Sequence, residues 1–310
     1  SSRWSARIVL QRESIANPLP RTGVTNVNSP KHRLVAGVCA LTLVGAGCGG
    51  GSDAAETTDA DAEATTAGET SAELGGFSGE LVGAGASSQA AAMQGWQAGF
   101  QTANPEVAIA YDAIGSGGGR ELFLSGGSSF AGSDAALKDD EFETSKERCA
   151  GEQGAINLPH YISPIAIPYN LPSVDATLNL GSGVIAGISA NEITNWNDPA
   201  IASTNAGVAL PDLAINPVHR SDESGTSENF TDYMSQSAPD VWTFGEIEIW
   251  DDGPGGGEGA QGTSGVVAVV EAGEGSIGYA DASQIGDLPA AAVGVGDGFV
   301  EFSPEAAGRV

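Results

Sequence analysis

The run Gly79-Glu80-Leu81-Val82-Gly83-Ala84-Gly85-Ala86-Ser87-Ser88-Gln89 passes from an apolar strand through a turn of small residues into a helix. From Gln89 the apolar residues Met93, Trp96 and Phe100 recur at intervals of three and four, the period of one helix face, until Asn104-Pro105 stops the helix. Val107 to Tyr111 reads as the next strand, and Ile114-Gly115-Ser116-Gly117-Gly118-Gly119 opens a short helix carrying Leu122 and Phe123. Strand, Gly/Ser turn, helix, strand is the grammar of an α/β protein.

Such turns carry chemistry as well as topology. A helix N-terminus presents unpaired backbone N–H groups and a partial positive charge, so it favours anions. Glycine lets a ligand approach the backbone closely, and serine or threonine adds a hydroxyl donor. Three turns have this composition: Ser87-Ser88, Ser116-Gly117, and Ser224-Gly225-Thr226 ahead of a helix with Phe230, Tyr233 and Met234. The Gly115–Gly119 run is not followed by Gly-Lys-Ser/Thr, so it is not a nucleotide P-loop.

Around this core the charge is distributed unevenly. The 310 residues hold 12 Lys plus Arg against 40 Asp plus Glu, a formal net charge of −28. That length accommodates about two domains. The acidity excludes a nucleic-acid partner, which would need clustered basic residues. Yet residues 1–47 carry six basic residues against Glu13 alone. Lys31-His32-Arg33 precedes Leu34–Gly47, 14 uncharged and mostly apolar residues, which is too short to span a bilayer and fits an export signal.

The apolar run ends at Val44-Gly45-Ala46-Gly47-Cys48, which resembles a bacterial lipobox, with Cys48 as the lipidated residue. Residues 48–76 are Gly, Ala, Ser, Thr and acid with almost no apolar side chains, the composition of a solvated tether. With Cys39 in the signal and Cys48 lipidated, Cys149 is left as a partly buried free thiol. His32, His160 and His219 are too far apart in sequence to suggest a metal motif, and no metal or cofactor is expected. His160, His219, Trp196, Trp242 and Trp250 read as packing residues, and Asp251–Gly265 reads as a loop.

Four segments occur in an order that carries a specific resemblance: Gly83–Ser87, Ile114–Gly119, Phe130-Ala131-Gly132-Ser133-Asp134-Ala135, and Arg220-Ser221-Asp222-Glu223-Ser224-Gly225-Thr226-Ser227. With Trp196–Ile201 and Gly275–Tyr279 they resemble the periplasmic phosphate-binding protein of the bacterial phosphate ABC importer. The resemblance implies an α/β Venus-flytrap fold of two lobes with mixed sheets, residues 77–160 and 271–310 forming the first lobe and 161–270 the second. It also implies that the first lobe is incomplete at the C-terminus.

The same resemblance implies that phosphate is held by Ser87, Ser88, Ser116, Asp134, Arg220, Ser224, Gly225 and Thr226, with Asp222 paired to Arg220. Where the family often has an aromatic after the first serine, this chain has Ser88-Gln89-Ala90. Asp134 would accept the proton that phosphate carries and sulfate lacks. The implied protein is not an enzyme. It is a monomeric, lipid-anchored binding protein outside the cytoplasmic membrane that delivers inorganic phosphate to an ABC permease. A phosphatase-like secreted protein of the same fold, a surface adhesin, and a tungstate or molybdate binder remain alternatives at this stage.

Overall fold

The computed structural model describes residues 6–10, as backbone, together with 76–149 and 153–303. The first lobe runs β1 (Ala6–Leu10), β2 (Ser78–Gly85), α1 (Ala90–Ala103), β3 (Glu106–Asp112), α2 (Ser116–Leu124), β4 (Phe130–Ser133), α3 (Asp139–Arg148) and β5 (Ile156–Tyr161). Its mixed sheet has the order β3-β2-β4-β1-β5. Strands β2, β3 and β4 are parallel, with Gly83 opposite both Tyr111 and Phe130. Strand β1 is antiparallel to both β4 and β5. Residues 6–10 belong to a segment that sequence reading assigns to an export signal, but here they fill a strand position in the sheet. Cys48, the tether and residues 304–310 lie outside the described residues.

Glycine fixes how tightly this lobe packs. A Cβ on Gly119 of α2 would lie 2.3 Å from the Cα of Gly85 and 2.7 Å from the carbonyl oxygen of Ala84, so helix and strand touch backbone to backbone. Phe123, Ala131, Leu137, Cys149 and Ala155 form the apolar core beneath α2 and α3.

The chain passes into the second lobe between Tyr161 and β6 (Ile165–Ala166). It continues through β7 (Asn179–Leu180), α4 (Ser182–Ser189), α5 (Pro199–Thr204), β8 (Asn216–Arg220), α6 (Gly225–Ser237), β9 (Glu258–Ala260), α7 (Gly262–Ala272), β10 (Ser276–Gly278), β11 (Ala280–Asp281), β12 (Ala292–Val295) and β13 (Gly298–Val300). The central strand β8 is parallel to both β9 and β10. Strand β11 pairs antiparallel with β6, and β12 lies between β7 and β13. Trp196, Trp242, Tyr169, Leu178, Leu180, Ile201 and Met234 fill the core.

Two expectations are corrected here. Strands β10, β11 and β12, expected in the first lobe, pair with β8, β6 and β7 of the second, while Gln284 between them bonds to the turn before α1 of the first. Asp251–Gly265, expected as a loop, contains strand β9 and the start of α7. Three residues are too few to show a strand period, and Glu258-Gly259-Ala260 is held by its register with Val218–Arg220.

Candidate functional site

The first turns of four helices meet where the lobes come together: the turn before α1 against that of α7, and the start of α2 against that of α6. The turn before α1 is pinned from several sides. The hydroxyl of Tyr111 donates to the carbonyl of Ala86 at 2.9 Å and accepts from the amide of Gln89 at 3.0 Å. Gln284 Nε2 donates to the carbonyls of both Ser87 and Ser88 at 2.8 Å. Ser87 Oγ lies 3.0 Å from Thr263 Oγ1 and accepts from the Thr263 amide at 3.0 Å, which joins this turn to the first turn of α7.

Asp134 follows β4 and lies where α2 and α6 meet. Its Oδ1 accepts from Ser88 Oγ at 2.5 Å and its Oδ2 from Thr226 Oγ1 at 2.8 Å. Its backbone N–H donates to Ser116 Oγ at 3.1 Å. Burial holds the Asp134 carboxyl above its ordinary range, against the opposing pull of the Ser88 and Thr226 hydroxyls and the Arg220 charge. Gly225 closes against the same group: a Cβ there would lie 2.6 Å from Ser116 Oγ and 2.9 Å from Asp134 Cβ.

The cation of the site is Arg220, buried at the end of β8. Its Nε donates to Asp222 Oδ1 at 2.7 Å, and its Nη2 bonds to the other carboxylate oxygen. The Gly262 N–H also donates to Asp222 Oδ1, at 3.0 Å. Burial alone would raise the Asp222 carboxyl, but the Arg220 guanidinium and that amide outweigh it and hold it low. The Arg220 amide donates to Tyr279 Oη at 3.1 Å, and Ser227 Oγ lies 2.6 Å from the same hydroxyl. Burial pushes the Tyr279 phenol up to about 12. Ser224 caps α6 by accepting from the Ser227 N–H at 3.1 Å.

The structure thus gathers Ser88, Ser116, Gly225 and Thr226 around Asp134 with the Arg220 charge nearby, sets Ser87 against Thr263 and Ser224 at the cap of α6, and pairs Asp222 with Arg220. The fourth helix terminus, Gly262-Thr263, and the supporting residues Tyr279, Ser227 and Gln284 were not anticipated. The sequence signal for Gly262-Thr263 was another Gly-Thr-Ser turn, hidden in the segment read as a loop, whereas Ser227 and Tyr279 lay in the resembling segments without a role given to them. His160 sits outside the cleft at 5.1 Å between ring centroids from Trp96, and His219 stacks on Trp250 at 4.7 Å, so both are packing residues. Cys149 is a buried free thiol.

A family model described as a PBP superfamily domain matches residues 56–307. The chain belongs to this superfamily. Among curated relatives, this PBP-superfamily chain is 39% identical over 199 residues to the phosphate-binding protein PstS 3 of Mycobacterium leprae, covering 64% of this chain and 53% of the relative. It is 37% identical over 245 residues to the phosphate-binding protein PstS 2 of Mycobacterium tuberculosis, covering 78% and 63%. The chain thus spans between about half and two thirds of the length of these relatives.

Solved structures show the same two-lobed α/β fold. A phosphate-binding protein from Stenotrophomonas maltophilia superposes with a TM-score of 0.57 at 25% identity, covering 69% of this chain and 64% of that one. A high-affinity periplasmic phosphate-binding protein solved with phosphate bound gives 0.58 at 26% identity, covering 70% and 62%.

Proposed function

We propose that this chain is a non-catalytic solute-binding protein that captures inorganic phosphate in the cleft and delivers it to the permease of an ABC transporter. One observation carries the reading: the first turns of four helices and a buried guanidinium lie together around a buried carboxylate, Asp134, which Ser88 and Thr226 bridge across the lobes. Helix dipoles, hydroxyls and Arg220 can bind an oxyanion although the chain is strongly acidic, because net charge sets the long-range field and local donors set the binding.

Asp134 selects among oxyanions. An ionised carboxylate beside a bare oxyanion is repelled, whereas beside an anion bearing an O–H it accepts a hydrogen bond. Phosphate carries such a proton near neutral pH and sulfate does not. Asp222 occupies Nε and one hydrogen of Nη2 on Arg220, which leaves Nη1 and the second Nη2 hydrogen for the ligand. Ser87, Ser88, Ser116, Ser224, Gly225 and Thr226 supply the remaining hydroxyl and backbone donors. The mycobacterial relatives are phosphate-binding proteins and the similar solved structure holds phosphate, which supports the same ligand class.

The sequence supports export, lipidation at Cys48 and a tether over residues 48–76 on the outer face of the cytoplasmic membrane, and the family resemblance implies a monomer. Titration calorimetry of the full chain with phosphate and with sulfate tests the ligand. One phosphate per chain with sulfate at least ~100-fold weaker is expected. No heat with phosphate, or equal affinities, would refute it.

A further inference from the structure

Arg120 has no exposed side-chain surface, and it lies outside the candidate site. It sits on α2 one helical turn beyond Ser116 and is held by Glu141, Ser133 and Glu248, with Glu223 of the second lobe farther off at 3.8 Å. Within the first lobe, Nε donates to both oxygens of Glu141 at 3.0 and 3.1 Å, and Nη1 donates to Ser133 Oγ at 3.2 Å. Across the cleft, Nη2 donates to both oxygens of Glu248 in the second lobe, at 2.8 and 2.9 Å. Lys138 of the first lobe adds a second cation to Glu248, at 2.9 Å.

Glu248 is also built into the candidate site. Its backbone carbonyl accepts from the N–H of Ser224, the cap of α6, at 3.0 Å. One residue therefore holds the ligand turn of the second lobe through its backbone and α2 of the first lobe through its side chain. The charges on the two faces are complementary. The second lobe brings Glu223, Glu228, Glu246 and Glu248, all carboxylates, while the first brings Arg120 and Lys138 with Glu141.

We infer that Arg120 and Glu248 form a clamp that holds the two lobes closed over the ligand and so sets how tightly the cleft retains it. The inference rests on the binding function proposed above. Separation of the lobes leaves Arg120 its bonds to Glu141 and Ser133, so the open form is tolerated. Glu248, by contrast, would lose both of its cations and face only the other carboxylates. Closure thus gains a charge-assisted pair outside the ligand site. Ligand affinity includes that gain, because a ligand bound by the closed form is weakened in proportion to the fraction of molecules unable to close.

The test uses the full chain and the variants Glu248→Gln and Arg120→Lys. Glu248→Gln keeps the backbone bond to Ser224 and the side-chain shape, so it separates clamping from folding. The dissociation constant for inorganic phosphate is expected to rise at least ~10-fold in Glu248→Gln, with the phosphate-to-sulfate preference unchanged because Asp134 is untouched. Small-angle scattering without phosphate should give a larger radius of gyration than the parent chain. The reversed pair Arg120→Glu with Glu248→Arg should recover part of the affinity that either single reversal loses.

Parent-like affinity and radius in Glu248→Gln would overturn the clamp. So would weaker binding with an unchanged radius and a loss of cooperative unfolding, which marks a purely structural role. If the parent chain binds no phosphate, the functional proposal fails, yet the comparison of radii still tests the clamp.

Discussion

Replacing Gly225 with alanine isolates the closing of the cleft from the folding of either lobe. Gly225 is the first residue of α6, in the second lobe, and its backbone has no need of glycine's positive φ. Alanine favours helices over glycine, by up to about 1 kcal/mol in a helix interior and less at a first position. The second lobe by itself should therefore be as stable as before, or slightly more. Across the cleft the new methyl would stand 2.6 Å from Ser116 Oγ and 2.9 Å from Asp134 Cβ, both in the first lobe. Ordinary contacts need roughly 3.5–4.0 Å, so the lobes must stay about an ångström apart.

That separation strains the 2.8 Å bond from Thr226 to Asp134 and the approach of the α6 terminus to any bound oxyanion. Overpacking of this kind costs about 1–3 kcal/mol, which corresponds to ~5- to 150-fold in affinity. Phosphate calorimetry should show weaker binding in this range, while the melting temperature without phosphate is unchanged or raised. Parent-like affinity with the lobes folded would refute the assignment of Gly225 to the closing surface, and with it the closed geometry on which the site is built.

Gly119→Ala makes the contrasting case: its methyl would meet the β2 backbone within one lobe, so a stability loss of about 1–3 kcal/mol is expected in thermal or urea unfolding, and parent-like stability would contradict the packing. Asp134→Asn removes a charge that opposes a bare oxyanion at close range, an effect of roughly 4 kcal/mol at an effective dielectric constant of about 20. Competition calorimetry should then show the phosphate preference over sulfate narrowed ~100-fold or more, and a retained preference would sink the selectivity argument.

Burial, then the neighbouring Glu248 and Glu246, push the Glu228 carboxyl up to about 8. The folded state therefore holds this proton more tightly than the unfolded chain. The associated stability is complete below the unfolded carboxylate range near about pH 4.5 and is lost as pH rises through about 8. Glu228→Gln should flatten the fall in melting temperature between about pH 5 and 8 and leave the variant the more stable at pH 8; an unaltered slope would show that Glu228 is not the group responsible. Acid should act in the opposite sense on Asp222. Its low folded value means that its stabilisation is present above the usual carboxylate range and lost as pH falls through the folded value, and Asp222→Asn should lessen that acid sensitivity in melting curves.

Much of the first lobe's fold was legible from local chemistry. Gly83–Ser88 and Gly115–Gly119 read as strand-to-helix turns because small residues and hydroxyls meet local backbone needs, and the ordered segments 130–135 and 220–227 supplied the site residues by resemblance. The adjacent pair Arg220–Asp222 needs only two residues' separation to form. Tertiary structure decided what depends on distant pairing. It placed Ser276–Gly278 beside β8, brought Thr263 to Ser87 across 176 positions of chain, and turned a segment without visible period into β9 and the fourth helix terminus. It also set Arg120, which sequence gives no reason to single out, against Glu248, 128 residues away. Periodicity and turn composition report a residue's immediate neighbours, whereas the partner of a buried charge is set by which surfaces the folded lobes bring together.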